Sequence, residues 1–165
     1  MKRLVLILLV ALFFVGCNSY DPAQRIEKLE KEVLSDDNAI VPEAASELVQ
    51  AYCDFADANP NDEMAPEYLF KAMDVSMNLN EPQRTISIID RLINDYPDYP
   101  NTQAALFVKA FIFETKYGNL DMAKKLYEQY LEKYPDGTFA ESCRASIENL
   151  GLSPEELVKK FEAQE

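Results

Sequence analysis

DYPNTQAALFVKAFIFETKYGNLDMAKKLYEQYLEKYP, residues 98–135, decides the fold. It reads as two helices closed by Tyr134-Pro135. The preceding stretch, residues 60–97, lies on it at a fixed offset, since Tyr96-Pro97 and Tyr134-Pro135 stand 38 residues apart (134 − 96). At that offset Leu69 meets Phe107, Phe70 meets Val108, Lys71 meets Lys109 and Ala72 meets Ala110. Further on, Asn80 meets Gly118, Thr85 meets Ala123, Leu92 meets Tyr130 and Ile93 meets Leu131. Self-similarity with a period of about 20–50 residues marks stacked supersecondary units, because one unit alone cannot bury its apolar face. The expected fold is all-α: stacked antiparallel helix pairs forming an α-solenoid, with capping helices at both ends.

Outward from that stretch the same grammar continues. Residues 42–58 carry Leu48, Ala51, Tyr52 and Phe55 at helical spacing and end at Asn59-Pro60, so they read as the second half of an incomplete repeat. Residues 64–79 place Leu69, Ala72, Met73 and Ser76 on one face, and residues 82–95 turn Ile88, Ile89, Leu92 and Ile93 inward. The helix expected over 100–117 has Phe107, Ala110 and Phe111 on one side and Leu106, Phe113 and Tyr117 on the other, the pattern of a helix buried on two sides. Gly118-Asn119 supplies a left-handed corner and a cap. Leu120, Ala123, Leu126, Tyr127, Tyr130, Leu131 and Tyr134 then form the next inward stripe. Residues 138–150 form a further helix with Ile147 and Leu150, closed by Gly151. Ser153-Pro154-Glu155-Glu156 starts a last helix, which carries Leu157, Val158 and Phe161 against a charged outer face. At the other end, residues 22–34 set Ile26, Leu29, Val33 and Leu34 on one face of a short helix, read as a cap on the repeats because it is too short for a coiled coil.

Composition removes several functions. The chain has 165 residues, 29 acidic and 16 basic, no histidine and a formal net charge of −13. That balance excludes nucleic acid, which needs a dense basic face, and direct docking on anionic headgroups. Cys53 and Cys143, with no histidine and no C-x-x-C spacing, make no zinc site and read as small apolar fillers rather than a disulfide. Acid pairs at Asp36-Asp37 and Glu155-Glu156 sit where helix starts and loops favour acids anyway. No catalytic residue, cofactor or metal is expected.

The first seventeen residues carry an address. Met1-Lys2-Arg3 is a basic start, and Leu4 to Val15 is an unbroken apolar run of twelve residues before Gly16-Cys17. As a helix that run spans about 18 Å, against roughly 30 Å of hydrocarbon, so it reads as an export signal rather than a membrane span. The segment resembles a bacterial lipoprotein signal, in which an apolar residue, a small one and Gly or Ala precede a lipid-modified cysteine. The resemblance implies cleavage between Gly16 and Cys17, with a diacylglyceryl thioether on Cys17 and a fatty acyl chain on its new amine. Asn18, where Asp would retain such a protein on the inner membrane, points to the outer membrane facing the periplasm. The expected organisation is a signal over 1–16, a lipidated tether and short helix over 17–41, helical repeats over 42–150 and a capping helix over 151–165.

Ala110, Gly118, Ala123 and Pro135 sit where the tetratricopeptide repeat places its small residues, inter-helix turn and closing proline. Tyr96-Pro97-Asp98 and Tyr134-Pro135-Asp136 resemble the periplasmic branch of that family, which includes the lipoprotein of the outer-membrane barrel-assembly machine and the Tol-Pal-associated division coordinator. The period of 38, Asn80 in place of Gly and Thr85 in place of Ala depart from the pattern and mark the repeat over 60–97 as weak. The resemblance implies a non-enzymatic, membrane-anchored scaffold that grips an envelope protein or peptide, in outer-membrane assembly or in envelope and division maintenance. Lys71, Asn78 and Lys109 are the nearest candidates for a carboxylate clamp, but they do not follow that motif and read as solvated. The alternatives are an oligomer-forming lipoprotein that associates through residues 22–34, and an accessory cell-wall hydrolase.

Overall fold

The computed structural model describes residues 21–33 and 41–163. Gly16 and Cys17, with the whole export signal, lie outside the described residues, as do Asp36 and Asp37. Among the described residues the helices are α1 (Pro22–Val33), α2 (Pro42–Ala58), α3 (Met64–Asn78), α4 (Pro82–Asp95), α5 (Thr102–Thr115), α6 (Leu120–Lys133), α7 (Ala140–Asn149) and α8 (Pro154–Glu162). Each helix from α1 to α6 packs on the next in the chain. The fold is the expected stack of antiparallel helix pairs. The half-repeat assigned to α2 is completed by α1, whose Ile26 and Leu29 are buried in the same core cluster as α2.

Three prolines set the stack. α2, α4 and α6 end on Asn59, Tyr96 and Tyr134, with φ/ψ of −134/58°, −132/56° and −134/65°. Each precedes a proline, whose Cδ crowds the preceding residue out of the α conformation and stops the helix. The stopped residue still donates its N–H to the carbonyl of Phe55, Leu92 or Tyr130. The same turn then forms three times. The amides of Asp62, Tyr99 and Gly137 donate to the carbonyls of Asn59, Tyr96 and Tyr134. Those of Ala65, Thr102 and Ala140 donate to the carbonyls of Asp62, Tyr99 and Gly137. Gly137 is needed at its place: a Cβ there would lie 2.6 Å from Tyr130 Oη and 2.7 Å from Gln103 Oε1.

The corners inside the hairpins are equally regular. Asn80 (φ 57°), Gly118 (φ 59°) and Gly151 (φ 80°) all take the left-handed conformation. Asn80 is therefore no defect of its repeat, because Asn is among the few side chains that visit this region readily. Its Oδ1 also accepts a hydrogen bond from Lys116 Nζ at 2.8 Å.

Burial repeats with the sequence in one helix of each pair and diverges in the other. Thr85, Ile88, Ile89 and Leu92 are buried in α4, and Ala123, Leu126, Tyr127 and Tyr130 in α6, each pair 38 residues apart (123 − 85). Thr85 keeps its hydroxyl satisfied by donating to the Glu81 carbonyl at 3.0 Å and pairing with Ser76 Oγ at 2.8 Å. The departure from Ala is thus compensated inside its own hairpin. In α3 and α5 the buried sets share only Ala72 and Ala110 at that offset. α5 is buried on two sides, with Ala105 and Ile112 in the cluster shared with α1–α4, and Leu106 and Ala110 in the cluster shared with α6 and α7. Phe111, expected inward, is instead 42% exposed, and Tyr117 and Leu120 are exposed with it. A helix wedged between two neighbours keeps a third side, and Phe111 lies there.

Cys53 and Cys143 are free thiols in different clusters, Cys53 at the edge of the first and Cys143 inside the second. α8 begins with the expected capping box between Ser153 and Glu156. It is held to α7 by Lys160, which lies 2.8 Å from Glu148 and from Asn149 Oδ1. None of its side chains is fully buried, and Val158 and Phe161 are exposed.

The left-handed corner predicts a ranking. Asn80→Gly should leave unfolding free energy within a few tenths of a kcal/mol, whereas Asn80→Val should lower it by about 1–2 kcal/mol. Urea denaturation of the two variants checks this; equal stability of both would contradict the assignment.

Candidate partner-binding groove

The open side of α3 carries Glu67, Phe70, Asp74 and Met77, spaced three, four and three residues apart and so aligned on one face. On α5, Ala104, Val108, Phe111 and Thr115 lie four, three and four residues apart and share a face, whereas the repeat equivalents of Glu67 and Asp74 are the buried Ala105 and Ile112. Phe70 and Val108 are equivalent in the repeat, as are Met77 and Thr115, so both stripes face the same side of the stack. Met77 and Phe111, with Pro82, Ile112, Thr115 and Lys116, wall a small apolar cleft of about 40 Å³ between the α3–α4 corner and the end of α5. It shares Glu81 and Pro82 with a broader hollow of about 490 Å³ that reaches Arg84 and Tyr117. Met77, Phe111 and Tyr117 are each exposed by roughly two fifths (38%, 42% and 43%); Met77 and Phe111 share the cleft and Tyr117 lines the adjoining hollow, exposed apolar surface of the kind that marks interaction sites.

The charges around this surface are nearly all spoken for. Tyr99 Oη donates to Glu67 at 2.6 Å and packs edge-on to Phe70. Burial and that bond push the Tyr99 phenol up to about 12. Glu30 accepts from Lys71 at 2.9 Å and from Tyr52 at 2.7 Å. Burial raises its pKa, but these two bonds outweigh burial and hold the carboxyl below its ordinary range. Lys71 also sits over the Tyr52 and Tyr68 rings, at 5.9 and 5.6 Å. Lys109 pairs with Asp90 at 2.5 Å. Asp74 differs. No cation or donor among the described residues reaches its carboxylate, and the atoms crowded about it push the carboxyl up by burial alone although the residue stays exposed.

The three residues read as solvated clamp candidates are therefore engaged in structure. Lys71 and Lys109 sit in separate ion pairs, and Asn78 donates to the backbone carbonyl of Asp74 at 3.1 Å. They do not converge. What residue-by-residue reading missed was the stripe itself. Phe111 was read as inward, because periodicity gives the apolar side of a helix without saying how many neighbours cover it.

Among the described residues no three His, Cys, Asp or Glu side chains are placed to hold a metal ion, and no helix is long and apolar enough to cross a membrane. The fold and this surface define an all-α helical-repeat scaffold with an open apolar face. Residues 104–137, which cover most of α5, all of α6 and the turn through Gly137, match the tetratricopeptide repeat. No curated protein matches the chain significantly.

Asp74 gives a pH-dependent prediction. Its folded pKa is raised, so the folded state binds its proton more tightly, and stability is lost as pH rises through the carboxylate range. Asp74→Asn should therefore raise Tm at pH 7, with the gain vanishing below about pH 4, where the unfolded carboxyl is itself protonated. Thermal unfolding of both proteins across that range checks it; a lower Tm for the variant at pH 7 would contradict the crowded, unpaired carboxylate.

Proposed function

We propose that the chain is a lipid-anchored, non-catalytic interaction scaffold of the bacterial cell envelope. It holds an envelope protein or peptide on the open face of α3 and α5. The observation that carries this reading is the exposure of Met77 on α3 and Phe111 on α5, with Tyr117 just past the end of α5, on helices whose other sides are locked into the stack. Stacked helix pairs present such faces rigidly, so a partner does not have to order the site before binding. The basic start, the twelve-residue apolar run and Gly16-Cys17 support export and acylation at Cys17. Two or more acyl chains hold a protein stably where one holds it only marginally. Asn18 supports the outer membrane facing the periplasm. The Tyr-Pro-Asp closures support service in outer-membrane assembly or in envelope and division maintenance.

The anchor is tested in cells. Cys17→Ala should leave the helical fold intact by circular dichroism and move the protein from the membrane to the soluble fraction. Full retention in the membrane fraction would overturn the acylated tether. Crosslinking from position 111 in the native envelope should link the wild-type chain to a discrete partner.

A further inference from the structure

We infer that the groove takes a basic amphipathic segment of a partner, with a Lys or Arg on Asp74 and apolar side chains on Phe70, Met77 and Phe111. This rests on the reading of the open face of α3 and α5 as the binding surface and deepens it by naming what binds. Three observations carry it. First, four acids on α1, α3, α4 and α5 are compensated by their own neighbours: Glu67 by Tyr99, Glu30 by Lys71 and Tyr52, Asp90 by Lys109, and Glu114 by Tyr127 at 2.7 Å. Asp74 alone of those facing the groove has no such partner among the described residues, and it lies on the stripe between Phe70 and Met77. Second, the flanking residues are apolar, Met77 exposed and Phe70 half-buried against the core, so a ligand that covers Asp74 meets apolar surface on both sides of its cation. Phe70 and Met77 are seven residues apart, which is about 10.5 Å along the helix axis, two turns of a bound helix or three residues of an extended strand. Third, the formal net charge of −13 attracts a basic segment from a distance. At the corner end Lys116 bonds Asn80 and pairs with no acid among the described residues. It would repel a second cation there and so fixes the direction in which the segment lies.

An intruding cation would replace the water around a crowded carboxylate with a partner charge, and Coulomb attraction grows as water is excluded. The same acid that costs the free protein stability would then favour the complex. Stability and binding are expected to move in opposite directions at this one position.

The test uses the full chain in detergent and a library of random twelve-residue peptides displayed on phage. Enriched peptides are synthesised and their Kd measured by fluorescence anisotropy against wild type, Asp74→Asn and Phe111→Ala. The expected result is a shared Lys or Arg between apolar residues, and affinity reduced about tenfold or more by Asp74→Asn. Replacing that Lys or Arg by Gln should weaken binding to wild type while leaving the Asp74→Asn variant nearly unaffected, the signature of direct coupling. Because Asp74→Asn is expected to be the more stable protein, unfolding cannot explain its loss of affinity. If Phe111→Ala weakens binding while Asp74→Asn and the peptide cation have no effect, the groove stands and the basic segment falls. If no peptide is enriched, or neither variant alters binding, the groove falls as well.

Discussion

Pro60, Pro97 and Pro135 each deny the α conformation to the residue before them, and the rest of the structure depends on that steric constraint. The three residues so stopped share one backbone geometry to within about ten degrees in φ and ψ. Their carbonyls then seat the same turn, which returns the chain at a fixed angle into the next helix. Because the turn repeats, each helix pair meets its predecessor in the same way, and burial can recur at the same positions of α4 and α6. Burying Ile88, Ile89, Leu92, Leu126 and their neighbours supplies the driving force, each about 1.5–3 kcal/mol before entropy. The prolines decide where that force is spent.

Repetition also explains what could be read without coordinates. A sequence repeat of 38 residues predicts a structural one, and Tyr-Pro endings predict where helices stop; α2 and α4 lie at the expected boundaries. The capping box of α8 was equally visible, because its chemistry lies within four residues. The equivalence of Asn80 with Gly118 was visible as an alignment and misread as weakness, since the αL conformation is a backbone property that two different side chains satisfy. Thr85 was misread for a similar reason. Its hydroxyl partner, Ser76, comes from the facing helix, and no periodicity within α4 announces it. Phe111 marks the deeper limit: which of three apolar sides is left open depends on how neighbours wrap, which is a tertiary fact.

The two helices of each pair divide the labour. α4 and α6 carry matching buried sets and no exposed apolar run beyond their first residues, whereas α3 and α5 diverge in which positions they bury and present the open face. A scaffold of this kind keeps its packing helices uniform and lets its outward helices differ, so that recognition changes without changing the stack. α1 belongs to the stack rather than to a separate association surface, for Ile26 and Leu29 are consumed in the core and Glu30 is tied to Tyr52 and Lys71. The cluster of Glu30, Lys71, Tyr52 and Tyr68 joins three helices where the terminal pair would otherwise be held by apolar contact alone.

Amide hydrogen exchange at Asp62, Tyr99 and Gly137 tests the central claim most directly. Each of these N–H groups closes the turn that follows a proline-stopped helix. All three should exchange slowly and on a common scale, well below the rate of an unstructured peptide, because each opens only when neighbouring helix pairs separate. Exchange at free-peptide rates, or protection at one turn without the other two, would contradict a stack built by repeating a single joint.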